Sequence, residues 1–281
     1  MTKNARNSIN RQMLHVFRNT PFGRETLLQS IHYCQQASLE LSVYIPTRPQ
    51  FLMYFDNAIS TVDLDRSYVR APETAAEHAE EILAGSGVPH QIFEPTDFTA
   101  PTLPEVPTNF SVMCCPRSIS NVSTRIGLGY IGPRVRQIAQ NAAFPVLLPS
   151  AVFKPWRRVA CFFGGSAHGQ RAVRYALWLG RTADAEVRIF TQPERRPRVD
   201  MRAALEVTGA DPATWTLFDP GDLRENLYAV PHDALVVVGA YGQGLTRELL
   251  FGSKVEVIQT VLPNPIVIVG PRCDPEVLTV S

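Results

Sequence analysis

The chain has 281 residues, 45% hydrophobic and 19% charged, with 27 basic against 26 acidic side chains and a net charge of +1. That balance is that of a folded globular chain; it sets aside disorder, and with no basic excess it sets aside nucleic acid and anionic membrane as partners. Five scattered cysteines without metal spacing, a polar start lacking a signal-peptide core, and no apolar run near the ~20 residues of a membrane span predict a soluble cytoplasmic protein.

In chain order, Leu14–Phe17 is a short apolar strand, and Ser38–Tyr44 is a second one. Residues 46–72 form a long insertion of mixed aromatic and polar character, read as a flap without assigned structure. Pro95, Pro101, Pro104 and Pro107, with Pro89 just before, argue against a helix over residues 94–109. Phe110–Cys115 is an apolar run, so Cys114 and Cys115 read as strand core rather than redox chemistry. A helix opens at Gly132, a strand closes the half at Val146–Pro149, and Pro149–Trp156 is an aperiodic junction.

Arg158–Phe163 then reads as a strand running into Gly164-Gly165-Ser166. Ala172, Val173, Ala176, Leu177 and Leu179 line one face of the helix that follows. Glu186–Phe190 is a strand, Asp200–Val207 a helix, Trp215–Phe218 a strand and Gly221–Val230 a short helix. Ala234–Gly239 is apolar and β-branched, the pattern of a strand buried on both faces. From Gly252, Val255, Ile258 and Leu262 recur at helical spacing until Pro263, and Pro265–Gly270 is a last buried strand. Strands alternating with helices predict a parallel sheet with helices on both faces and right-handed crossovers.

The chain is written twice. Leu14–Phe17, Gly23 and Ser38–Tyr44 match Ala160–Phe163, Gly169 and Asp184–Phe190 at a constant offset of 146. Gly132, Val135, Ile138 and Pro145 match Gly252, Val255, Ile258 and Pro265 at an offset of 120. Shared spacing at both ends predicts a duplication, giving two tandem doubly wound, Rossmann-like α/β domains over residues 1–152 and 153–281.

The chemistry concentrates after Val236-Val-Val-Gly239, which runs into Ala240-Tyr241-Gly242-Gln243-Gly244 before the helix opens at Gly252-Ser253-Lys254. A glycine turn past a parallel strand lets backbone approach a ligand, and a helix start offers free N–H groups to an anion. Together they make a polyphosphate cradle, to which Lys254 adds a charge; the plainer alternative is that these glycines are turn and cap residues. Gly239-x2-Gly242-x9-Gly252-Ser253 resembles the nucleotide pattern of ATP-binding universal stress proteins, and Phe163-Gly164-Gly165-Ser166 is similar to that family's first strand and turn.

The resemblance covers the second half almost entirely and the first in outline. It implies an adenine nucleotide alpha hydrolase-like fold and ATP, ADP or AMP as ligand, with or without Mg. Gly239, Gly242, Gly252 and Ser253 would meet ribose and phosphates, while Val238, Tyr241 and Thr191 would lie near base and sugar. Gly165, Ser166 and Gln243 complete the set. Gly164 stands where the family usually has a nucleoside-binding aspartate. The resemblance also implies that the two closing strands, Val146–Pro149 and Ile266–Val269, pair within one chain as a pseudo-twofold internal dimer. Further homodimerisation and the identity of a protein partner are left open.

The first half departs from the pattern. Its fourth strand ends Cys114-Cys115-Pro116-Arg117, its last helix opens Gly132-Pro133, and Arg18 occupies the aspartate position. A folded partner without a nucleotide site is expected; an altered anion site using Arg117, Arg125 or Arg134 is the alternative. Gly127-Leu-Gly129-Tyr-Ile-Gly132 spells a dinucleotide fingerprint but lacks the strand before it and the acidic residue after it. The six histidines show no metal spacing, and His168 is expected to be solvated. With no nucleophile elbow or paired carboxylates, the expected role is a nucleotide-dependent stress-response switch with at most slow hydrolysis. The alternatives are a ligand-free scaffold and an adenylating or pyrophosphatase enzyme.

Overall fold

The computed structural model describes residues 10–116, 119, 131–191, 209–219, 222–239, 258 and 261–273. The first half runs β1 (Asn10–Val16), α1 (Pro21–Ala37), β2 (Glu40–Tyr44), β3 (Gln50–Phe55), β4 (Ala58–Asp63), α2 (Pro72–Ala84), β5 (His90–Phe93), β6 (Phe98–Ala100), β7 (Leu103–Pro104), β8 (Phe110–Cys114), α3 (Pro133–Asn141) and β9 (Val146–Leu148). The second runs β10 (Arg158–Phe162), α4 (Ala167–Thr182), β11 (Glu186–Thr191), β12 (Trp215–Leu217), α5 (Leu223–Leu227), β13 (Ala234–Gly239) and β14 (Ile266–Val269). The helix expected over Asp200–Val207 lies outside the described residues.

The two halves share a matching helix cap. Thr20 accepts the Gly23 N–H at 3.0 Å, and 146 residues on Ser166 accepts that of Gly169 at 3.1 Å. Each hydroxyl satisfies an orphan donor of the first helical turn, a contact worth about 1 kcal/mol.

Ten strands form one sheet, ordered β12-β11-β10-β13-β14-β9-β8-β1-β2-β5. Within this sheet, among the described residues, every pair inside a half is parallel, and the one antiparallel pair is β14 with β9 at the centre. There Ile266 faces Leu148, Val267 faces Leu147 and Ile268 faces Val146. Leu147 and Val267 are equivalents under the 120-residue offset, so a pseudo-twofold axis passes between them. Pairing the closing strands removes two apolar edges from solvent.

Side chains alternate between two cores. In β13, Leu235 and Val237 enter one, while Ala234, Val236 and Val238 enter the other. The first core lies under α1, α2 and α4; buried Tyr33 of α1 hydrogen-bonds Tyr175 of α4 and ties the halves together. The junction is also fastened to α1: the Gln29 amide meets Ser150 on both backbone groups at 2.8 and 2.9 Å, and the Glu25 carboxylate accepts the Phe153 N–H at 2.8 Å.

On the opposite face the proline-rich segment forms no helix; it makes the short β6–β7 hairpin instead. The insertion covers that face. Its β3–β4 hairpin lays Phe51, Met53, Phe55 and Val62 against Leu14, Val16 and Tyr44 of the sheet, with Tyr44 edge-on to Phe51 at 5.6 Å. Residues 46–72, read from sequence as a flap without assigned structure, thus supply a hairpin that serves as a layer of the fold.

His15 in β1 is wholly buried, with Nδ1 2.8 Å from Ser30 Oγ and Nε2 without a partner among the described residues. Burial pushes its pKa from 6.5 down to about 3, because a charged imidazole cannot be solvated there. The native state keeps it neutral while the unfolded chain binds a proton below pH 6.5, so stability falls as pH falls. Near pH 5 the loss from this group is about 2 kcal/mol. Urea unfolding at neutral pH and near pH 5 is expected to show an acid penalty smaller by that amount in His15→Gln.

Candidate functional site

In the second half the strand order reverses between β10 and β13. The chain leaves β10 towards β11 and β12, then returns to β13 and β14 on the other side. The crevice outside the carboxyl ends of strands at such a reversal is where open α/β sheets hold ligands.

Three strand ends converge there. β10 runs into Gly164-Gly165-Ser166, β11 ends at Thr191, and β13 ends at Val238-Gly239; β10 pairs with both neighbours, Phe162 meeting Phe190 and Val238 in register. Gly164 is exposed, and a Cβ added there would meet nothing within 4 Å. Gly165 has φ 78°, a left-handed conformation that side chains oppose, so glycine is required for the turn.

The remaining sequence candidates divide by availability. The Ser166 hydroxyl is engaged as the cap of α4. Thr191 is 3% exposed, and its carbonyl accepts the Phe218 N–H at 2.9 Å. Val238 points into the core, leaving only its backbone for a ligand. Gly239 has a steric reason of its own: a Cβ would lie 2.4 Å from the His168 carbonyl oxygen, so the strand end passes directly against the start of α4. Tyr241, Gly242, Gln243, Gly252, Ser253 and Lys254 lie outside the described residues.

His168, expected to be solvated, is half-buried and held. Its Nδ1 lies 3.1 Å from Arg171 Nη1, which also donates to the Pro271 carbonyl at 2.8 Å. Burial first, and then the Arg171 charge, lower its pKa, so the ring is neutral near pH 7. Sequence reasoning also missed an aromatic group at the strand ends. Phe190 and Phe218 stack with centroids 5.2 Å apart, and half-buried Phe162 lies 5.8 Å from Phe190. The signal was present as one phenylalanine near the end of each of three strands.

The matching crevice of the first half, between β1 and β8, is filled by the insertion. Arg18 Nη2 lies 3.6 Å from Asp65 Oδ1, and the guanidinium sits over the Tyr68 ring at 5.5 Å. Tyr68 is 2% exposed. Hydrogen bonds from Ser67, with Arg18 adding its charge, hold the Asp65 carboxyl below its usual range. Arg134 pairs with Asp63 at 2.8 Å rather than standing free for an anion; Arg117 and Arg125 lie outside the described residues. Cys114 and Cys115 are buried free thiols, with Cys114 pushed up to about 12 by burial, which fits strand core. Among the described residues no group of three His, Cys, Asp or Glu side chains is placed to hold a metal, and no helix is long and apolar enough to cross a membrane.

No protein-family model matches the sequence, and no curated protein matches it. Solved structures do match over nearly the whole chain. A universal stress protein from Archaeoglobus fulgidus DSM 4304 aligns with a TM-score of 0.60 at 16% identity, covering 95% of this chain and 99% of its own. A putative universal stress protein from Pseudomonas aeruginosa UCBPP-PA14 aligns at 0.57 and 13% identity, covering 97% and 96%. A functionally unknown protein from Pseudomonas aeruginosa PAO1 aligns at 0.57 and 13%, covering 97% and 95%. The shared property at these identities is the fold: a mostly parallel α/β sheet flanked by helices.

Proposed function

We propose that the chain is a tandem universal stress protein, its halves meeting near residues 152 and 153, that binds an adenine nucleotide in the second half as a regulatory ligand. The observation that carries this reading is the convergence of Gly164, Thr191 and Gly239 on one crevice at the reversal of strand order. The sequence pattern Gly239-x2-Gly242-x9-Gly252-Ser253 leads from that crevice into a helix start suited to phosphate. The end of β10 fits such a ligand: exposed Gly164 carries no side chain and has open space around it, which leaves room for a base and sugar. The filled crevice of the first half supports a single site per chain. ATP, ADP or AMP, with or without Mg, serves as a ligand that shifts stability or partner binding rather than as a substrate.

One observation favours the scaffold reading. Gly239 and Ser166 each have a structural duty, packing against His168 and capping α4, that needs no ligand. Mass spectrometry of small molecules released from the purified protein separates the two. Adenine nucleotide is expected from the native chain and none from Gly252→Glu. Absence of nucleotide, with no thermal shift on adding millimolar ATP and magnesium, would leave the scaffold reading in possession.

A further inference from the structure

A second cleft, of about 380 Å³, opens in the first half at the carboxyl ends of β2 and β5, where Tyr44 and Phe93 pair in register. Its size falls within the range of small-molecule pockets. Tyr44 and Ile45 are its buried floor, Phe93 a wall, and exposed Phe98 part of the rim. Tyr44 and Phe93 stand edge to face at 6.0 Å. Although only 2% exposed, Tyr44 has a hydroxyl without a hydrogen-bond partner among the described residues. An unpaired hydroxyl at the base of a cleft is a polar group waiting for a partner.

The charge around the cleft has one sign. Glu73 and Glu94 line it, and no Lys, Arg or His does. Glu73 sits in the first turn of α2, whose positive end offsets about half a charge. No lining residue among those described carries a positive charge to set against Glu94, so the lining is negative overall. Aromatic faces and carboxylates around one opening select positive charge carried beside a flat ring, through ring-quadrupole attraction and ion pairing together.

We infer that this cleft is a binding site for a small aromatic amine in its cationic form. It is separate from the crevice of the second half, and its charge would repel a nucleotide. Solvated surface carboxylates are common, but the aromatic wall and the Tyr44 side chain at the floor give these two a shared focus.

The test is calorimetric titration of the full chain with tryptamine, beside indole-3-propionate, which carries a similar indole side chain with the opposite charge. Saturable tryptamine binding is expected, with the propionate at least about tenfold weaker. Glu73→Gln with Glu94→Gln should weaken tryptamine about tenfold, and Tyr44→Phe about threefold. Both glutamates are exposed, so the double variant keeps its fold, which an unchanged melting temperature verifies. Equal binding of the two indoles, an unchanged affinity in the double variant, or no tryptamine binding would each overturn the assignment. None of these outcomes depends on whether the second half binds nucleotide.

Discussion

Replacing Gly164 with aspartate is expected to tighten adenine-nucleotide binding about ten- to a hundredfold. The residue ends β10 at the mouth of the crevice and is exposed, and a Cβ there meets nothing within 4 Å. Its φ lies outside the left-handed region, so a side chain is tolerated by the backbone as well. A carboxylate accepting a hydrogen bond from a nucleoside contributes about 1.5–3 kcal/mol, and each 1.4 kcal/mol is tenfold in affinity. Titration calorimetry on the native chain and on Gly164→Asp would measure the gain. Adding Gly252→Glu to the variant should cancel it if both positions face one ligand. An affinity unmoved by the new carboxylate would mean that any bound nucleotide does not reach the end of β10.

Val267→Asp is expected to destabilise the protein by about 3–5 kcal/mol, the cost of an uncompensated buried charge. Val267 is fully buried at the centre of the ten-stranded sheet, facing Leu147 across the antiparallel pair. Its side chain enters the core that also holds Leu147, Val237 and Tyr175, so residues of both halves lose packing together. Urea unfolding followed by tryptophan fluorescence should show one transition moved to lower denaturant. Trp156 and Trp215 report the junction and the outer edge of the second half. Two separated transitions, with the first half surviving longer, would show that the halves fold independently despite the shared sheet.

The fold was legible where burial on both faces left an unmistakable composition. Ala234–Gly239 is such a strand; its place between β10 and β14 was not legible, because alternation of strands and helices does not fix strand order. The repeat was legible because caps and turns constrain single residues, as the paired Thr20 and Ser166 hydroxyls demonstrate. Helix α2 was missed for a physical reason: it buries Ala75, Ala79 and Leu83, and two alanines give little hydrophobic contrast. The β3–β4 hairpin was missed because Phe51, Leu52 and Met53 are buried in succession, which breaks the period of two. Leu52 alternates to the side opposite its neighbours, and its backbone carbonyl, in the plane of the strands, accepts the Val106 N–H at 2.8 Å. At the site, no sequence pattern could foretell that Gly239 passes within contact of His168, since that approach joins residues 71 positions apart.

The central pairing also sets an order of events during synthesis. β9 emerges from the ribosome about 120 residues before its partner β14, a delay of roughly 6–24 seconds at ordinary rates of translation. Through that interval the first half holds an unfinished apolar edge, and only three residues of β9 present it. A short edge is a poor template for a stranger's strand. The brevity of β9 thus protects the nascent chain until its own second half arrives to close the sheet.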